Sequence, residues 1–125
     1  MWIFLKNSFI SIVQKPEDTD GMLTVRARVK GDIERAFPDT KVKVTKGQGT
    51  DYLYRARIPR EIVAAVISNQ IMDLNYPNFK GDIKNDAHHD ACMAVWNVMC
   101  RHQREMDAYQ TQKRGARQVQ LAGFQ

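Results

Sequence analysis

Val25-Arg26-Ala27-Arg28-Val29, with Asp32-Ile33 close behind, returns 29 residues later as Tyr54-Arg55-Ala56-Arg57-Ile58 followed by Glu61-Ile62. In both stretches apolar residues alternate with arginines, which is the two-residue period of a strand with one buried and one open face. The acid and isoleucine that follow then open a helix, so each copy reads as a strand running into a helix. The echo predicts that Arg26, Arg28, Arg55 and Arg57 occupy equivalent places on the side of a sheet turned away from the core.

Working outward, Trp2 to Lys6 and Phe9 to Gln14 are β-branched and aromatic runs separated by the turn-forming pair Asn7-Ser8, a hairpin pattern. The polar loop Lys15 to Gly21 leads into a strand over Met22 to Lys30. Asp32 is placed to N-cap a short helix that Pro38 must end. Lys41 to Lys46 alternates Lys41, Lys43 and Thr45 with Val42 and Val44, a further strand with a basic face. Gly47-Gln48-Gly49-Thr50 forms a hairpin loop into the strand Asp51 to Ile58. From Pro59 onward, Ile62, Val63, Val66, Ile67, Ile71 and Leu74 recur at helical spacing. A longer helix is expected from about Asp86 to about Tyr109, with Cys92, Val95, Trp96, Met99 and Met106 on its apolar side.

These elements predict an α+β fold: an antiparallel sheet of about five strands with helices packed on one face. Their order is ββ(β)αββα plus a C-terminal helix, with a possible internal pseudo-repeat. Residues 1–109 form one domain, and 110–125, which lack apolar period, a weakly ordered basic tail. The apolar phase of each element predicts a core of Trp2, Phe4, Val25, Ala27, Tyr54, Ile58, Ile62, Val66, Val95, Trp96 and Met99.

At 125 residues the chain is large enough for one core. No apolar run approaches the roughly 20 residues of a membrane span, and the N-terminus lacks the pattern of a secretory signal. Cys92 and Cys100 fall about 12 Å apart along one helix, beyond disulfide reach. A reducing cytoplasm is the expected location. The net charge of +5 is uneven, since residues 22–60 hold ten cations against four acids while 61–109 are net acidic. Such clustering is the footprint of an anionic partner.

The set Met1-Trp2-Ile3-Phe4, Val25-Arg26-Ala27-Arg28, Asp51-Tyr52-Leu53-Tyr54-Arg55-Ala56, Asn75-Tyr76-Pro77-Asn78-Phe79-Lys80 and Val95-Trp96 resembles a family of small bacterial and phage-borne proteins of unknown function. The resemblance spans residues 1 to about 100. It implies a compact domain in a bacterial or phage setting and supplies no activity, ligand or catalytic residue.

The leading candidate site is the basic face formed by Arg26, Arg28, Lys30, Lys41, Lys43, Arg55 and Arg57, since several cations in one sheet give salt-sensitive affinity for nucleic acid. Binders of single strands also carry aromatics on which bases stack. Tyr52 and Tyr54 alternate with the arginines and are expected to point the other way, which leaves a solvated charged surface as the competing reading. The loop aromatics Tyr76 and Phe79 are a second candidate, as a ligand rim or as a plug between helices.

His88, His89, Asp90, Cys92, Cys100 and His102 have metal-ligand chemistry, yet no spacing among them supplies a four-ligand zinc set, so no metal and no cofactor is expected. Gly47-Gln48-Gly49-Thr50-Asp51 joins strand to strand without the helix N-terminus a phosphate cradle needs. No nucleophile lies beside a histidine in an interpretable pattern, so no catalytic residue is named. The expected function is a small non-enzymatic binding or regulatory protein that engages nucleic acid, a nucleoprotein or an acidic protein surface. The alternative is an inhibitor or adaptor that blocks a host complex, or a homodimer built on the Trp96/Met99 helix. A small hydrolase or transferase would require a pocket with converging polar groups.

Overall fold

The structure, a computed structural model, describes residues 1–46 and 51–123. The expected loop at Gly47 to Thr50 and the terminal Phe124 lie outside the described residues. Five strands, β1 (Trp2–Leu5), β2 (Ser8–Val13), β3 (Met22–Ala27), β4 (Lys43–Val44) and β5 (Tyr54–Pro59), form one sheet of order β1-β2-β3-β5-β4. Every neighbouring pair is antiparallel. The helices are α1 (Asp32–Ala36), α2 (Arg60–Met72) and α3 (Asp86–Ala122), with a 3-10 turn at Lys80–Asp82. This is the expected α+β architecture.

The two halves of the arginine echo lie side by side, because β3 pairs directly with β5. Each strand feeds a helix, β3 into α1 through a short turn and β5 into α2 without a break. One face of the sheet is apolar. Ile10, Ile12, Leu23, Val25, Ala27, Ala56 and Ile58 from the strands meet Ile33, Ala36 and Phe37 at α1 and Val63 of α2, all buried. At about 1.5–3 kcal/mol for each fully buried large aliphatic side chain, this cluster is the main source of stability.

Gly31 leads into α1 at φ 93°, a backbone region that favours glycine. Asp32 is therefore not the cap but the first helical residue. Its buried carboxylate accepts the Phe9 backbone N–H at 3.0 Å and pairs with Arg35. That contact pins α1 to β2.

Part of the expected core lies elsewhere. Val25, Ala27 and Ile58 are buried, and Tyr54 and Val66 pack at the edge of the cluster. Trp2 is 67% exposed and Phe4 only half-buried, because Ile3 and Leu5 take the core side of β1. Ile62 is exposed, since the phase of α2 that meets the sheet runs through Val63, Val66 and Ile67.

The strand over Met22 to Lys30 stops at Ala27, and that over Lys41 to Lys46 is reduced to Lys43–Val44.

The chain divides into two compact units, Met1–His89 and Asp90–Gln125. The second holds α3 from Asp90 onward, and the helix runs to Ala122 rather than ending near Tyr109. Residues 110–122 lack apolar period but are rich in Gln, Arg, Lys and Ala, good helix formers. In α3, Val95, Trp96 and Met99 are exposed rather than core, while Cys92 is buried. Cys92 and Cys100 are free thiols, and burial pushes that of Cys92 up from its ordinary pKa.

Candidate nucleic-acid interface

The strand registers align one row of side chains across the face of the sheet opposite α1 and α2. Trp2 lies beside Ser11, Ser11 beside Arg26, Arg26 beside Arg55, and Arg55 beside Lys43. At about 4.8 Å per strand this row is about 19 Å long. It is aromatic at one end and cationic at the other. Beside Trp2, Phe4 and Phe9 are direct partners whose rings stack at 4.5 Å and 20°, and Trp2 meets Phe9 edge-on at 5.9 Å. Cross-strand aromatic pairs of this kind stabilise a hairpin and hold their rings in fixed positions.

Arg26 and Arg55 are directly opposed, an arrangement that is unfavourable unless other contacts offset it. Arg26 Nη2 donates to Ser11 Oγ at 2.9 Å, and its guanidinium lies 4.4 Å from the centre of the Tyr52 ring. The Arg28 guanidinium lies over the same ring at 4.2 Å, donates to the Asp51 carbonyl at 2.7 Å and pairs with the Asp51 carboxylate at 3.4 Å. Arg55 Nε donates to the Tyr52 carbonyl at 3.4 Å. Tyr52 is thus a buried anchor for three arginines.

Antiparallel pairing separates the remaining echo positions. Arg57 lies opposite Thr24, at the other end of β3 from Arg28. It serves the fold: Arg57 Nε pairs with the Asp18 carboxylate at 2.9 Å, and Nη2 donates to the Glu17 carbonyl. Asp18 is buried and also accepts from the Lys15 backbone N–H at 2.8 Å and Thr24 Oγ1 at 2.6 Å. Burial alone raises its pKa. The hydrogen bonds from Thr24 and Lys15, with the Arg57 guanidinium, outweigh burial and hold the carboxyl below its ordinary value.

The structure therefore redistributes the candidate residues. Arg26, Arg55 and Lys43 share the row, Arg28 adjoins it through Tyr52, and Arg57 belongs to the Asp18 contact. Lys30 and Lys41 are exposed but lie off the strands. Tyr76 and Phe79 are half-buried neighbours at 6.1 Å. Lys6 Nζ stands 5.3 Å from the Tyr76 ring and pairs with Asp82 at 2.7 Å, a contact that holds the Asp82 carboxyl below its ordinary pKa. Tyr76 and Asp82, both held by Lys6, tie the segment after α2 to the β1–β2 turn.

Tyr54 points to the core side as expected, whereas Tyr52 does not. It precedes the first residue of β5, so strand alternation does not extend to it. Trp2, Phe4 and Phe9 are the other residues that the sequence reading missed here. β1 is apolar on both faces, so its alternation carried no signal. The signal lay in the pairing itself, since a hairpin turning at Lys6-Asn7 sets Phe4 against Phe9 and Trp2 against Ser11.

An apolar groove of about 450 Å³ lies on the Met1–His89 unit, lined mainly by Met1, Ile12, Leu23, Val63, Ile67 and Met72. Arg60 and Ser68 are its polar members. This lining lacks the converging acids, bases or nucleophiles that a hydrolytic site requires. Among the described residues no three His, Cys, Asp or Glu side chains are grouped to hold a metal ion, and no helix is long and apolar enough to cross a membrane. Comparison with protein families, curated proteins and solved structures finds no match to this chain.

Proposed function

We propose that this protein binds single-stranded nucleic acid across the sheet face that carries Trp2, Phe4 and Phe9 at one end and Arg26, Arg55 and Lys43 at the other. The observation that supports this reading is the single cross-strand row from Trp2 to Lys43. Single-strand binders combine cations that follow the phosphates with aromatic faces on which bases stack. Trp2 supplies an accessible ring, and the Phe4–Phe9 stack fixes its neighbourhood. Arginines held by Ser11 and Tyr52 are ordered before binding, which lowers the entropy lost on association.

The binding would be non-enzymatic and regulatory in character, in the bacterial or phage setting that the sequence resemblance implies and the reducing cytoplasm that two unbridged cysteines suit. An acidic protein surface is the other anionic partner the row suits, and the bases distinguish the two. Trp2→Ala is expected to weaken binding of a fluorescently labelled single-stranded oligonucleotide about 10-fold in an anisotropy titration, within the range for loss of one base stack. The same variant should leave binding of polyglutamate unchanged. Equal affinity of parent and variant for the oligonucleotide would rule out stacking on this face.

A further inference from the structure

The apolar groove of the Met1–His89 unit lies on the side of the sheet away from the arginine row. Its floor is Ile12, Leu23 and Val63, all buried, where β2 and β3 meet α2. Its walls are open: Met1, Ile71 and Met72 are 76%, 65% and 78% exposed. Along α2 the lining residues Arg60, Val63, Ala64, Ile67, Ser68 and Ile71 recur at three- and four-residue spacing, so one stripe of the helix follows the groove. From Arg60 to Ile71 that stripe is about 17 Å long at 1.5 Å per residue.

The groove has one charged end. Among the lining side chains Arg60 alone is charged, and no acid joins it. Gln14 continues β2 on the same side as Ile12 and accepts from Arg60 Nη2 at 3.1 Å, which holds the guanidinium where α2 begins. No carboxylate pairs with Arg60 among the described residues. Toward Ile71 and Met72 the lining is apolar apart from the neutral Ser68. A complementary occupant is therefore apolar along most of its length and negative at one end. A peptide does not meet this condition, because its backbone would press polar groups against the apolar lining at every residue.

Width selects the kind of chain. An α-helix 10–12 Å across would take about 1,300 Å³ over the same length, far more than the groove's volume of about 450 Å³. That volume falls within the 300–1,000 Å³ of small-molecule sites, which are apolar with a few placed polar groups. An unbranched alkyl chain fits so narrow a slot and gains by burying each methylene.

We infer that this groove binds a straight-chain fatty acid, with the alkyl chain along α2 and the carboxylate on Arg60. Dansyl-undecanoic acid should bind the full chain at a single saturable site with a rise in dansyl emission, and laurate should displace it. Dodecanol, the same chain without the charge, should displace it about 10-fold less well, the worth of one hydrogen bond between charged groups. Arg60→Gln should weaken laurate by the same factor and leave dodecanol unchanged. Ala64→Trp and, independently, Ser68→Trp fill the groove from exposed positions of α2 and should abolish probe binding while far-ultraviolet circular dichroism stays that of the parent. No probe binding by the parent, or binding that both tryptophan variants retain, would overturn the site. Equal potency of laurate and dodecanol, or no effect of Arg60→Gln on laurate, would overturn the pairing of a carboxylate with Arg60.

Discussion

Replacing Asp18 by alanine is expected to destabilise the protein by about 3 kcal/mol, since a buried acceptor lost from several partners strands each of them. The carboxylate holds the Lys15 backbone N–H, Thr24 Oγ1 and Arg57 Nε together. Thr24 is itself buried and would keep an unsatisfied hydroxyl. Arg57 is half exposed and finds water instead, which keeps the loss below that of a fully buried ion pair. Urea denaturation at neutral pH measures the difference, and a loss under about 1 kcal/mol would mean that the contact adds little to the fold.

The same residue sets an acid limit. The Asp18 carboxyl lies below its ordinary pKa in the folded state, so the folded protein binds its proton more weakly than the unfolded chain. Its contribution is therefore complete above the unfolded value near 3.8 and is lost as pH falls from there through the lower folded value. As pH falls below about 4 the parent should lose stability more steeply than Asp18→Ala, and parallel profiles would contradict this assignment.

The second large effect concerns binding. Lys43→Glu combined with Arg55→Glu should reduce affinity for a single-stranded oligonucleotide at least about 30-fold, because two phosphate contacts become two repulsions. Stability should hold or rise slightly. Glu at position 55 would face Arg26 directly across β3 and β5, replacing a like-charge pair with an opposite one. Loss of binding accompanied by unfolding would instead make Arg55 part of the framework, as Arg57 already is.

Much of this architecture was legible in the residues. The alternation in Val25 to Val29 and Tyr54 to Ile58 located both strands and, in Val25, Ala27, Ala56 and Ile58, their buried phase, whereas Val29 lies beyond β3 and is exposed. The echo misled on a different point. Antiparallel pairing sets Arg26 against Arg55 but sends Arg28 and Arg57 to opposite ends, so the four arginines divide into three gathered at Tyr52, Arg26, Arg28 and Arg55, and one outlier, Arg57, held by Asp18.

The aromatic end of the face was hidden in Trp2-Ile3-Phe4-Leu5, where four apolar residues give no alternation and only the register against β2 assigns the sides. Tyr52 was hidden because its direction depends on the irregular backbone before β5. The end of α3 was misplaced for another reason. Amphipathic period marks where a helix packs, not where it stops, and residues 110–122 continue the helix on intrinsic propensity.

Photocrosslinking measures the location of binding directly. A single-stranded oligonucleotide irradiated in complex with the full chain should attach to the N-terminal peptide that holds Trp2, Phe4 and Phe9, as identified by mass spectrometry. Attachment confined to α3 around Lys113, Arg114 and Arg117, with the N-terminal peptide unmodified, would place the interface on the helix and contradict the sheet-face assignment.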